Sequence, residues 1–167
     1  MENTMKTLFL EPFSGAGGNM LLGLLLDLGA DKALILNEIA KLKIGKYEII
    51  HKSVDKCGIQ STYFDVHCEQ FDGLYNKLKR ATGATVHFRN LQSIMQLISS
   101  SDLSSAIQNR VREVFTALAE AEAKVHGKTV AEVHFHEVGA VDTIIDIVGC
   151  IIALDNLGIE RVLSATV

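Results

Sequence analysis

Apolar and polar positions change their spacing several times along this chain, and each change predicts an element. Residues 7–13 read as a short strand with Pro12 at its end, where a missing N–H is tolerated. Residues 14–18 hold three glycines and predict a turn. Residues 19–28 are apolar nearly all round, which predicts a buried helix stopped by Gly29. Asp31 is placed to cap a second helix reaching residue 42, with Leu34, Ile35, Ile39 and Leu42 as its stripe. Residues 46–56 and 59–69 predict a hairpin turning at Gly58. Residues 70–88 carry the weakest pattern and are expected to form a mobile loop. Helices are expected over 91–98 and over 103–126, the second capped by Asp102 and closed by Gly127. A last helix is expected over 141–156 with Gly158 behind it, then an apolar strand over 161–167.

Merging adjacent helices gives the order β-α-β-β-α-β. This is an α+β pattern whose simplest arrangement is a ferredoxin-like sheet with helices packed on one face. One domain over residues 1–167 is expected from the length. The last strand stops at Val167 without a polar tail, which reads as the N-terminal part of a longer or split protein.

Composition narrows the function classes. A hydrophobic fraction of 48% supplies a core, and a formal net charge of −4 argues against a nonspecific nucleic-acid binder. Cys57, Cys68 and Cys150 are odd in number and form no CxxC pair, so a reduced, cytoplasmic setting is expected and all three read as packing residues. The apolar run over 21–28 is far shorter than the roughly 20 residues a membrane span needs.

Three segments carry candidate chemistry. Ser14, Gly15, Gly17, Gly18 and Asn19 lie between a strand and a helix, where backbone N–H groups and the helix dipole favour a phosphate. The segment is not a Walker loop, and a tight turn capped by Ser14 or Asn19 is the plainer reading. His134, His136 and Glu137 form an H-x-H-E corner. In extended chain the two imidazoles share a face, a donor set for nickel, zinc, copper or iron, with the carboxylate widening the choice toward Mn and Mg. Asp142 and Asp146 follow four apart on one helical face. Asp142 suits a first helical turn for electrostatic reasons alone. Asp146 sits between Ile145 and Ile147 and needs a partner, since burying an unpaired carboxylate is costly. The stripe Asp142, Asp146, Gly149 and Ala153 is polar at its start and small at its end, so another element or a ligand can come close.

Together, Phe13-Ser14-Gly15-Ala16-Gly17-Gly18-Asn19-Met20 and His134 through Gly149 resemble the nickel-insertion protein family of lactate racemase maturation. Residues 119–127 and 153–159 are similar to that family too. The resemblance implies a cytoplasmic lyase-class function: nickel insertion into a pyridinium bisthiocarboxylate mononucleotide, giving a nickel-pincer nucleotide cofactor. It implies CTP with Mn or Mg, at a site in a C-terminal half absent here. His134, His136, Glu137, Asp142 and Asp146 would then hold the metal, with His136, Glu137 and Asp146 as the catalytic groups and residues 14–19 cradling the phosphate. Two other functions stay open: a non-catalytic metal- or nucleotide-binding module docking on the catalytic half, and a metal-dependent phosphoesterase. A homo-oligomer is compatible with all three. The chain departs from the family pattern at Glu11-Pro12 and at Asn19, where the family has Asp-Cys and Asp. It has only His87 where the family carries a histidine-rich loop.

Overall fold

A computed structural model describes residues 5–45, 47–67, 90–133, 135 and 141–165. In chain order the elements are β1 (Thr7–Leu10), α1 (Gly18–Asp27), α2 (Lys32–Ala40), β2 (Glu48–Lys56), β3 (Ile59–His67), α3 (Leu91–Ser99), α4 (Ser105–His126), a short 3₁₀ turn (Val130–Glu132), α5 (Val141–Asn156) and β4 (Arg161–Ser164). The chain is of mixed helix and strand, as an α+β class requires. The segment expected to be a mobile loop lies outside the described residues.

The described strands do not join into the single ferredoxin-like sheet that the order suggests. β1 pairs with β4 in parallel, Thr7 opposite Arg161 through Leu10 opposite Ser164, and β2 pairs with β3 as a separate antiparallel hairpin. Helix α1 packs on β3 and on α5. Two glycines allow this. A Cβ on Gly23 would meet the Thr62 carbonyl oxygen at 2.7 Å, and one on Gly149 of α5 would meet Leu22 Cδ2 at 2.7 Å. The Asp27 carboxylate at the end of α1 also accepts the Thr62 backbone N–H at 3.1 Å. The small end of the α5 stripe is thus filled by a helix.

Local signals explain most boundaries. Asp31 caps α2 by accepting from the N–H groups of Ala33 and Leu34. The hairpin turns through Cys57 and Gly58, both at positive φ, with the Asp55 carboxylate accepting the Gly58 N–H at 2.9 Å. Cys57 is exposed there, so it is not a packing residue. Asp102 does not cap α4. It pairs with Lys43 at 2.7 Å, and Ser104 accepts the Ile107 N–H instead. Gly127 closes α4 in the left-handed region, φ 61°.

The core is one apolar cluster in which α5 is buried almost throughout, against Leu22 and Leu25 of α1, Ile35 and Ile39 of α2, and Val111 and Phe115 of α4. Phe135 is fully buried beside it, its ring edge-on to Phe115 with centroids 6.4 Å apart. The α1–α5 contact within this core brings the glycine loop to the acidic start of α5.

Candidate functional site

The glycine loop is shaped by its own backbone. Phe13 N–H donates to the Glu11 carbonyl and Gly15 N–H to the Pro12 carbonyl, both at 2.9 Å, with Gly15 at φ 82°. Gly17 is the N-cap of α1 and has no side chain to cap with. Neither Ser14 nor Asn19 takes that role; the Asn19 side-chain oxygen accepts the N–H of Met20. In the first turn of α1, at the positive end of the helix dipole, the Met20 N–H thus goes to the Asn19 side chain and the Asn19 N–H to Asp146.

Asp146 lies directly against this turn. A Cβ on Gly18 would sit 2.8 Å from Asp146 Cβ and 3.0 Å from its Oδ2, so only glycine fits there. Oδ1 of Asp146 is buried and has no hydrogen-bond partner among the described residues. Burial, then the charges of Asp142 and Asp65, push the Asp146 carboxyl up to about 7 from 3.8, with only the Asn19 backbone N–H favouring the charged form. Asp142 itself is exposed in the first turn of α5 and accepts the Thr143 N–H at 2.7 Å.

Asp65 escaped the sequence reading. It lies on β3, some 80 positions before Asp146, and no spacing rule links the two. The only local sign is the polar face of β3, where Tyr63, Asp65 and His67 alternate with buried Phe64 and Val66. Asp65 Oδ2 accepts from Tyr63 Oη at 2.6 Å and lies 3.3 Å from His67 Nε2, while Oδ1 accepts the Val66 N–H. The Tyr63 hydroxyl is the main cause that holds this carboxyl below the usual range. Two carboxyls with opposite shifts thus sit near one helix terminus, one charged and one ready to hold a proton. Cys150, one turn beyond Asp146, points its thiol at the Gly18 carbonyl at 3.6 Å; burial first and Asp146 second push it up to about 12, which favours the neutral thiol.

Of the residues singled out from sequence, the structure brings together Gly18, Asn19, Asp142 and Asp146. Ser14 and Gly15 face elsewhere, lining a groove of about 350 Å³ with Phe13, Met20 and Leu24. Met20 follows Gly18 by two positions, roughly 200° around the helix, so groove and acid lie on opposite flanks of α1. His134, His136 and Glu137 lie outside the described residues, as do Cys68 and His87. Among the described residues no group of three or more His, Cys, Asp or Glu side chains is arranged to hold a metal ion, and no helix is long and apolar enough to cross a membrane.

Comparison with known proteins adds an independent line. The model of the nickel insertion protein family matches residues 8–167. The chain is 40% identical over 163 residues to the pyridinium-3,5-bisthiocarboxylic acid mononucleotide nickel insertion protein of Desulfitobacterium hafniense, covering 98% of this chain and 37% of the relative. Proteins of the same description from Clostridium kluyveri (39% identical, 98% of this chain, 41% of the relative) and Lactiplantibacillus plantarum (40% identical, 96% and 40%) are similarly close. The chain thus spans about two-fifths of the length of the relatives it matches. No solved structure matches it.

Proposed function

We propose, for a chain that belongs to the nickel insertion protein family, a part in inserting nickel into a pyridinium-3,5-bisthiocarboxylate mononucleotide. Nickel is the cargo of this reaction and the mononucleotide its acceptor. The observation that carries the reading is Asp146: a carboxyl beside the glycine turn with one oxygen buried and unpartnered among the described residues. Such an atom is costly unless a cation or a proton satisfies it.

In this reading His134, His136 and Glu137 hold and pass on the nickel, for which imidazole is a well-matched donor. Asp146 and Asp142 complete the ligand set or fix the imidazoles through their second nitrogens. His136, Glu137 and Asp146 also handle the protons displaced as nickel arrives; a carboxyl near 7 is suited to that at neutral pH. Ser14, Gly15, Gly17, Gly18 and Asn19 frame the phosphate in this reading; the Gly15 and Asn19 N–H groups are engaged by the Pro12 carbonyl and by Asp146, which leaves the amides of Gly17 and Gly18 as its donors. The finished product would be the nickel-pincer nucleotide that serves lactate racemase, made in the cytoplasm by a lyase-class enzyme.

In this reading CTP with Mn or Mg is bound outside this chain, by a C-terminal half. Residues 14–19 lack the Gly-Lys-Ser/Thr ending that grips a nucleoside triphosphate. The described acids form no metal-binding trio. These residues do not fit a triphosphate–metal complex, and no step here depends on one.

The test is nickel titration of the chain and of the double variant His134→Ala/His136→Ala. The reading expects affinity to fall at least about tenfold, the scale on which nearby ligand changes act. Unchanged affinity would remove the histidines from the site.

A further inference from the structure

One face of this chain is dressed for contact. Phe13 is 92% exposed and Met20 62%, and Leu24 is open beside them. They line the groove of about 350 Å³ at the carboxyl end of β1. Nearby, β1 and β4 form a two-stranded sheet among the described residues, and the paired residues Phe9 and Leu163 are both exposed. Two strands alone are marginal in water, and contiguous bare apolar surface marks an interaction site.

Length and charge say what covers it. About three-fifths of each relative lies outside the match, since the match fills only 37–41% of them. The groove has one charged residue in its lining, Glu11. The opposite flank of α1 faces Asp142, Asp146 and Asp65. The nearest basic residues of the sheet, Lys6 and Arg161, stand at its other end, at the start of β1 and of β4. The groove lining beside the glycine loop thus holds no Lys or Arg, whose charge-assisted hydrogen bonds would strengthen the grip on an anionic mononucleotide.

We propose that the Phe13–Met20–Leu24 face is the docking surface for the additional polypeptide of the longer relatives, which covers the groove and brings basic side chains to the glycine loop. The docking half stands on exposure and length alone; the charge half rests on the mononucleotide reading above.

Thiol labelling tests the docking half without any activity. Phe13→Cys is made in a Cys57→Ser/Cys68→Ser background, in this chain alone and in a fusion where this chain replaces the matching region of the Desulfitobacterium hafniense relative. Labelling should slow by about tenfold or more in the fusion, as expected for a side chain sealed in an interface core. Val125→Cys, at an exposed site on α4, should label equally in both. Equal rates at position 13 would overturn the proposal. Protection in the chain alone, rising with its concentration, would also overturn it in favour of a second copy. Phe13→Asp in the chain alone should leave its unfolding midpoint unchanged, because Phe13 is bare among the described residues; a clear loss would show that the face is not bare. For the charge half, the probe is nicotinic acid mononucleotide. It should bind the fusion and not the isolated chain, and equal binding to both would remove the basic contribution while leaving the docking result intact.

Discussion

Gly18 and Asp146 meet so closely that a single added methyl on the glycine would lie 2.8 Å from the aspartate Cβ. This contact ties the start of α1 to the acidic turn of α5 and sets the environment of the carboxyl. Gly18→Ala should therefore act twice. It should destabilise the chain by about 1–3 kcal/mol, the usual cost of overpacking. It should also move the Asp146 titration, because the carboxyl must shift away from the Asn19 N–H. Denaturant unfolding and a carboxyl-resolved NMR titration check both; an unchanged titration would show that the two residues are not in contact.

The titration of Asp146 sets a pH dependence of stability. Its carboxyl holds its proton up to about 7 in the fold but only to 3.8 when unfolded. The folded state therefore binds more protons between those values, and stability falls as pH rises through them. The contribution is whole below about 3.8 and lost above about 7. Asp142 and Asp65 are the charges that face it. Asp146→Asn mimics the neutral form, so the variant should lose less stability than the parent over this window and be the more stable of the two at about pH 8. Parallel unfolding curves at every pH would contradict the assignment.

Two close helix contacts should differ in their tolerance. Gly23→Ala drives a methyl into the Thr62 backbone carbonyl, whereas Gly149→Ala meets a methyl at the end of the Leu22 side chain. A carbonyl in a paired strand moves less readily than a rotatable side chain. Both variants should destabilise by about 1–3 kcal/mol, with Gly23→Ala the worse. The reverse order in denaturant unfolding would argue against the way α1 is seated on β3.

Removing a ring from the Phe115–Phe135 pair should cost about 3–5 kcal/mol, as for other large core truncations. Phe135 lies between the two candidate histidines in sequence. Phe115→Ala, on a different element, should therefore weaken nickel binding less than Phe135→Ala at matched folded fraction. Equal nickel affinity for both variants would separate the ring anchor from the histidine corner.

The helices were legible because their signals are local. The apolar stripe of 105–126, the Asp31 cap and the glycines at 29, 127 and 158 each act within a turn or two. The hairpin was legible through Gly58 and the alternation around Phe64. Sheet pairing was not. Which strand lies beside β1 depends on how closely α1 can approach β3 and α5, and that rests on Gly23 and Gly149 meeting atoms dozens of residues away. The Asp102 cap failed for a similar reason, since a distant Lys43 claims that carboxylate. At the site, the cost of burying Asp146 was readable from its isoleucine neighbours, and the small α5 stripe announced a close contact. Asp65 was not readable, because only folding brings β3 alongside α5.

The central claim is that the Asp146 carboxyl beside the glycine turn serves nickel insertion. The most direct measurement is nickel incorporated into the pyridinium-3,5-bisthiocarboxylate mononucleotide, read by metal analysis of the purified nucleotide. It compares this chain, supplied with the part of the Desulfitobacterium hafniense relative that it does not match, with its Asp146→Asn variant. The account predicts incorporation by the parent and a loss of at least about tenfold in the variant, with the fold intact by circular dichroism. Incorporation by Asp146→Asn at the parent's rate would contradict it.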